Sequence, residues 1–111
     1  SRGLGDVYKR QMQGHAAANL MPVIAANRIG REVVQPCAEN GGQESALEFY
    51  GSSFLTDETG EVILSASRDK EEILSQTYEL DELRAKRLEW GLFRDRRPEY
   101  YGIIAGEKNG R

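Results

Sequence analysis

The chain has 111 residues, with 15 Lys and Arg against 18 Asp and Glu, and a formal net charge of -3. This balance argues against a dedicated nucleic-acid binder, which should carry a basic excess, and the length allows at most one domain. One cysteine and one histidine provide neither an internal disulfide nor a spaced cluster of metal ligands. We therefore expect a reducing compartment, which we take to be the cytoplasm, and no metal.

The first eleven residues, SRGLGDVYKRQ, show neither helical nor strand periodicity. The string resembles translated adapter sequence of the kind that is fused to the ends of gene fragments assembled from short sequencing reads. We therefore predict residues 1–11 to be non-native sequence or else a disordered arm, and residues 12–111 to carry the domain.

From Met12 the sequence becomes structured. MQGHAAAN contains an alanine run with high helix propensity, and Pro22 ends the predicted helix. VIAAN follows and is almost wholly apolar, which is typical of a strand that is covered on both faces. Residues 36–46, PCAENGGQESA, contain the Pro, Gly, Asn and Ser of a surface loop.

Two strands and a turn are predicted next. FYGSSFLT and EVILSAS flank DETG, in which Asp57 and Gly60 occupy the first and fourth positions of a type I turn. This pattern predicts a hairpin. EILSQTYEL shows moderate alternation and is predicted to be a third strand.

A second helix is predicted through ELRAKRLEW, with Asp81 as its N-cap and Gly91 as its end. Leu80, Leu83 and Trp90 share one side of this helix, and further apolar residues form another side. A helix with two apolar sides is usually wedged between two surfaces.

Residues 90–102, WGLFRDRRPEYYG, interleave arginines with aromatic rings. The mixture suits a single-stranded nucleic-acid groove or a strap that packs against protein, and the negative net charge favours the strap. Pro98 pushes Arg97 toward extended conformations. We expect an extended strap whose rings are buried against other layers of the fold or a second subunit, with guanidinium groups paired to carboxylates such as Asp95 and Glu99. The alternative is a small interaction or RNA-binding module built on these residues.

Three motifs resemble the carbon-nitrogen hydrolases of the nitrilase superfamily: MQGHAAANLMPVIAANRIGRE, FYGSSFLTDETGEV and WGLFRDRRPEYYG. The resemblance runs from Met12 to about Gly102 and is greatest to the branch that hydrolyses N-carbamoylputrescine in polyamine biosynthesis. It implies an α+β fold, the C-terminal part of a four-layer αββα sandwich, here incomplete. It also implies a homo-oligomer that acts on a small carbamoyl amine, with no cofactor, nucleic acid or membrane involved.

The superfamily uses a Glu, a Lys and a Cys together on a carbamoyl or amide carbon. The thiolate attacks, Glu moves protons, and Lys stabilises the developing negative charge. In the family all three lie upstream of the segment that Met12 begins, so we expect this chain to lack the triad and to be inactive. Cys37 has no basic residue within five positions and is predicted to be an inert thiol.

The resemblance also suggests roles for other residues. Asn27 and Arg28, at the end of a predicted strand, are candidates for the rim of a substrate pocket, with structural hydrogen bonding as the alternative for both. His15 and Asn19 fall on the helix that pairs subunits in the superfamily and are expected at an interface. The remaining predicted interface residues lie in the strap: Trp90, Arg94, Arg96, Arg97 and Tyr101.

Overall fold

The computed structural model describes residues 2–106, with side chains from residue 5 onward. Ser1 and residues 107–111, the outermost parts of the two predicted segments, lie outside the described residues. The chain divides into two units, residues 1–78 and 79–111. The helices and strands in chain order are α1 (Arg2–Asn19), β1 (Ile24–Ala25), β2 (Ile29–Val34), β3 (Ser45–Tyr50), β4 (Phe54–Thr56), β5 (Val62–Ser65) and α2 (Leu80–Trp90).

Helix α1 begins ten residues before the predicted start at Met12. The expectation of a disordered arm is therefore wrong for residues 2–11, although an adapter origin stays a prediction. Extending a helix costs less than nucleating one, so a helix formed at the alanine run propagates through preceding residues that include no proline. Its C-terminal end lies where it was predicted, because Leu20 has a φ of +48° and Pro22 follows.

Three strands of the first unit form an antiparallel sheet in the order β1-β4-β5. The predicted hairpin is confirmed, since β4 pairs with β5 across the turn that begins at Asp57. The amide of Gly60 donates to the Asp57 carbonyl at 3.2 Å. The Asp57 carboxylate accepts hydrogen bonds from the Thr59 and Glu61 amides and fixes the turn.

Strand β4 carries much of the buried surface of this unit. Phe54 and Leu55 are buried, and Thr56 is fully buried. The expectation for β1 is wrong, however, because β1 lies at the edge of its sheet and Ile24 is 67% exposed. Among residues 2–78, the unit that contains β1, no layer covers the outer face of this strand.

A second hairpin, formed by β2 and β3, was not predicted. The two strands pair antiparallel from Ile29 opposite Tyr50 to Val34 opposite Ser45. The predicted surface loop is confirmed for residues 36–44 as the connection between them, and it contains a 3₁₀ turn at Ala38–Asn40. Ser45 and Ala46, predicted to end the loop, instead begin β3. The hairpin was missed because most of its side chains are exposed on both faces, so its sequence lacks a strong apolar alternation.

The predicted third strand, residues 72–80, is wrong, because residues 72–79 contain no strand and Leu80 is the first residue of α2. Ile73 is 96% exposed, so the apolar alternation of this segment does not contribute to a buried sheet face. Instead the segment is fixed near its end, where the Tyr78 hydroxyl donates to the Thr56 carbonyl at 2.7 Å.

In the second unit, α2 ends as predicted at Gly91, which has a φ of +66°. The N-cap is Glu79, not Asp81, which lies in the first turn. The expectation of an extended strap is wrong, because turns follow Gly91 and a 3₁₀ helix spans Pro98–Tyr100. Local hydrogen bonds, such as Asp95 N–H to the Gly91 carbonyl at 2.9 Å, favour compact turns. No described helix combines the length and the hydropathy of a membrane span.

Candidate functional site: a cavity beside the Gly51–Ser53 turn

A cavity of about 850 Å³ lies in the first unit. Its walls come from the end of β1 with the residues that follow it, from residues 48–54, from Arg68 and Asp69, and from one face of α1. The segment 48–54 includes the turn between β3 and β4. A cavity of this volume falls within the range of small-molecule sites.

Asn27 lies on the wall of this cavity and is extensively hydrogen-bonded. Its amide Nδ2 donates to the Gly51 carbonyl at 3.0 Å, and its Oδ1 accepts from the Arg28 amide at 2.8 Å. Its own backbone N–H donates to the Ser53 hydroxyl at 2.8 Å. These bonds connect the end of β1 to the turn between β3 and β4.

That turn has an unusual backbone. Gly51 and Ser52 both have a positive φ, +56° and +59° respectively. A Cβ atom on Gly51 would lie 2.7 Å from Ile29 Cγ2 and 2.8 Å from the Ser67 carbonyl oxygen, so only glycine fits there. Ser52 adopts a conformation that costs a non-glycine residue about 1–3 kcal/mol. GSS was predicted to be part of a strand, so neither the positive φ angles nor the requirement for glycine at residue 51 was expected.

Charged side chains of both signs line the cavity. Glu48, Arg68 and Asp69 contribute to its walls, and the Arg68 guanidinium lies 5.9 Å from the centre of the Tyr50 ring. Just beyond them, the Glu72 carboxylate accepts the Ser67 amide at 2.7 Å. The Ser67 hydroxyl and amide together lower the pKa of Glu72.

Arg28 does not line this cavity, unlike its predicted partner Asn27. Its guanidinium lies 4.3 Å from the centre of the Phe49 ring and pairs with Glu32. Its carbonyl accepts the Gly51 amide at 2.9 Å. These contacts describe a structural role on the β2–β3 hairpin, and a part in the pocket rim stays a prediction.

His15 and Asn19 are both exposed on α1. The Asn19 amide donates to the His15 carbonyl at 2.9 Å, which is a bond within the helix. Neither residue lines the cavity, and their place at an interface stays a prediction.

The strap residues make local contacts. The Arg94 guanidinium pairs with Asp95 at 3.1 Å and that of Arg97 with Glu99 at 3.8 Å, so the expected local ion pairs are present. Asp95 also raises the pKa of Arg94 through a side-chain hydrogen bond and its charge. Arg96 donates instead to a backbone carbonyl.

The strap rings are less covered than predicted. Trp90 is 67% exposed, and Tyr100 and Tyr101 are also exposed, although the Tyr101 hydroxyl accepts the Arg97 amide at 3.0 Å. The rings are therefore not buried within this chain, and their burial against further layers or a second subunit stays a prediction. Residues 79–106, the described part of the second unit, contain no surface that encloses them.

Cys37 is exposed, and its thiol donates a hydrogen bond that lowers the pKa of Glu39. Among residues 2–106, no three His, Cys, Asp or Glu side chains are grouped to hold a metal ion. The cavity lining contains the hydroxyl groups of Ser52 and Ser53 but neither histidine nor cysteine. Its residues can shape a pocket and hydrogen-bond a polar ligand, but they do not assemble a nucleophile with a general base.

Comparison with known proteins identifies the family. The profile of the carbon-nitrogen hydrolase family matches residues 5–88. The chain belongs to the carbon-nitrogen hydrolases. The solved structure of a carbon-nitrogen hydrolase from Helicobacter pylori superposes with a TM-score of 0.75 at 31% sequence identity, over 96% of this chain and 34% of that one. The fold is therefore that of this hydrolase family.

Relatives with assigned activities also match most of the chain. An N-carbamoylputrescine amidase from rice (Oryza sativa subsp. japonica) is 47% identical over 92% of this chain and 34% of its own length. The Arabidopsis thaliana N-carbamoylputrescine amidase is 43% identical over 89% of this chain, and a citrullinase from Francisella tularensis is 47% identical over the same share. The chain spans about a third of the length of these relatives.

Proposed function

We propose that this chain is the C-terminal third of an amidohydrolase that cleaves the terminal ureido group of a small aliphatic amine. The amidase and citrullinase matches carry the proposal, because N-carbamoylputrescine and citrulline both end in a ureido group on an aliphatic chain. In the complete enzyme, N-carbamoylputrescine and one water would give putrescine, ammonia and carbon dioxide. The reaction would take place in the cytoplasm without a cofactor.

The Glu, Lys and Cys that such an enzyme requires would lie upstream of the present sequence. The cavity residues of this chain would then form one wall of a pocket, with the reactive groups supplied from the other side. The exposed outer face of β1 agrees with a four-layer sandwich in which further strands and helices cover the sheet. The exposed strap rings agree with a homo-oligomer in which another surface covers them.

The test uses the longer protein obtained by extending the reading frame upstream of Met12. We expect it to release ammonia from N-carbamoylputrescine, whereas the 111-residue chain should release none above a buffer blank. Ammonia from the short chain that disappears in Cys37→Ser would contradict the missing triad. A long protein that hydrolyses neither N-carbamoylputrescine nor citrulline would contradict the proposed function.

An interaction or RNA-binding module remains the second candidate, because arginines and exposed aromatic rings occur together in residues 90–102. It predicts a start codon near Met12 and no upstream hydrolase sequence. The family assignment over residues 5–88 supports the hydrolase instead.

A further inference from the structure

We infer that Asn27 is a positioning residue, which holds the Gly51–Ser53 turn in the strained conformation that shapes the wall of the substrate pocket. The inference rests on the proposed function for its catalytic part and on the observed hydrogen bonds for its structural part. Asn27 would act through the turn and not by binding the substrate through its side-chain amide.

The turn is connected to segments on both sides of it. On the β1 side, the Gly51 carbonyl accepts a hydrogen bond from the Asn27 side-chain amide, and the Gly51 N–H donates to the Arg28 carbonyl. On the other side the Ser52 N–H donates to the Ser67 carbonyl at 3.0 Å. A residue in a costly backbone conformation persists only when its surroundings over-determine it, and these bonds do so for Ser52.

The residues with strained backbone lie on the wall of the cavity. Asn27, Gly51, Ser52 and Ser53 all line it. The Ser52 hydroxyl bonds to the Tyr50 carbonyl at 3.0 Å, so the turn uses both the backbone and the side chain of this residue to keep its shape. Strained residues concentrate at sites where the geometry serves function. A turn held only for stability would not need a non-glycine residue at a φ of +59°.

The test compares two asparagines in the complete hydrolase that carries this sequence. Asn27→Asp keeps the acceptor for the Arg28 amide and removes the donor to the Gly51 carbonyl. Asn40→Asp is the matched control, because the Asn40 amide also donates to a carbonyl, that of Gln35, at 3.0 Å, but Asn40 does not line the cavity.

Two measurements decide the outcome. Amide hydrogen exchange at Gly51 and Ser52 should accelerate at least about 10-fold in Asn27→Asp and stay unchanged in Asn40→Asp. The KM for the ureido substrate should rise at least about 5-fold only in Asn27→Asp, with kcat within about twofold. A variant that merely loses folded enzyme would lower the apparent kcat and leave KM unchanged, and that result would overturn the positioning role.

Two variants of Ser52 separate the effect of its backbone conformation on KM from the effect of its hydroxyl. Ser52→Gly releases the strain and removes the hydroxyl, whereas Ser52→Ala keeps the strain and removes only the hydroxyl. KM should therefore rise further in Ser52→Gly than in Ser52→Ala, without a lower melting temperature in Ser52→Gly. Equal KM values for wild type and Ser52→Gly would overturn the proposal. The exchange experiment does not depend on turnover. Unaltered protection of the Gly51 and Ser52 amides in Asn27→Asp therefore refutes the positioning role of Asn27 even if the proposed substrate is wrong.

Discussion

The β1-β4-β5 sheet and the C-terminal residues 91–106 are ordered by different means. In the sheet unit, hydrogen bonds join residues far apart in sequence: Gln13 to Gly60, Val23 to Thr56 and Tyr78 to Thr56 span 47, 33 and 22 positions. In residues 91–106, the hydrogen bonds described above join residues at most four positions apart, and the rings stay exposed. Substitutions in the sheet should therefore affect the stability of this chain, whereas substitutions in the C-terminal residues should affect what it associates with.

The largest expected effect is at Gly60. Its φ is +87°, and a Cβ atom there would lie 2.6 Å from the Gln13 carbonyl oxygen of α1. Gly30 is the matched control, because its φ of +92° is similar but its Cβ would meet nothing within 4 Å. Both alanine variants carry the backbone strain, and Gly60→Ala should cost about 1–3 kcal/mol more through overpacking.

Urea unfolding of the two variants measures this difference. If Gly30→Ala and Gly60→Ala lower the free energy of unfolding equally, the contact between the turn and α1 does not contribute. Residues 2–11 lie in the same helix as Gln13, so deleting residues 1–11 gives a further comparison. The adapter origin predicts that this deletion leaves the melting temperature of the chain unchanged, and a drop of several degrees would contradict it.

The next largest effect is expected at Thr56. This residue is fully buried, and its hydroxyl accepts the Val23 amide at 2.9 Å while its own amide donates to the Val23 carbonyl. Thr56→Val keeps the shape but leaves the Val23 N–H without its acceptor, which should cost about 1–3 kcal/mol. Thr56→Ser keeps the hydroxyl and serves as the control.

Amide exchange at Val23 distinguishes the two variants. It should accelerate in Thr56→Val and stay near the wild-type rate in Thr56→Ser. Rapid exchange in both would mean that the methyl group lost in Thr56→Ser also holds the sheet together. Exchange at the wild-type rate in Thr56→Val would mean that the hydrogen bond to the Thr56 hydroxyl does not protect the Val23 amide.

Sequence reasoning succeeded where one local pattern decides the structure. The Asp57–Gly60 hairpin and the end of α2 at Gly91 follow from turn and cap chemistry that four or five residues specify. The cavity could not be predicted in this way, because Asn27 and Gly51 meet only when β1 pairs with β4. The third strand was mispredicted for a related reason, since alternation at residues 72–80 shows which faces a strand would have but not whether a neighbouring strand is present.

A smaller effect is expected at Tyr78. Its hydroxyl donates to the Thr56 carbonyl at 2.7 Å, and Tyr78→Phe should cost about 0.5–1.5 kcal/mol. Burial, and then the nearby Asp57 charge, raise the pKa of the Tyr78 phenol in the folded chain. Because the pKa is raised in the folded chain, the neutral Tyr78 phenol stabilises the fold. This stabilisation is fully present below the pKa of the unfolded chain, about 10, and is lost as pH rises through the pKa of the folded chain.

The free energy of unfolding, measured from pH 8 upward, checks this sign. Wild type should lose more stability than Tyr78→Phe over the alkaline range, so the two curves should converge. Curves that stay parallel would mean that the phenol does not have a raised pKa in the folded state.

The smallest effect on stability is expected at Trp90. Because its side chain is 67% exposed, Trp90→Ala in this chain should change the free energy of unfolding by no more than about 0.5 kcal/mol. Leu83, the buried residue of the same helix, is the control, and its alanine variant should cost about 2–5 kcal/mol. A loss of several kcal/mol in Trp90→Ala would mean that the ring is covered within this chain after all.

The same exposure makes Trp90 and the residues after it sensitive to assembly. An exposed tryptophan that is followed in sequence by Phe93, Tyr100 and Tyr101 provides the residue types that are enriched in interface cores. Burying it against another surface would raise the cost of its removal towards about 3–5 kcal/mol. In the complete hydrolase, truncation before Trp90 should therefore reduce the mass measured by light scattering.

Single-stranded RNA should bind only weakly and with strong salt dependence, because the chain has a net charge of -3. An unchanged mass together with tight RNA binding at physiological salt would instead assign these residues to nucleic-acid recognition.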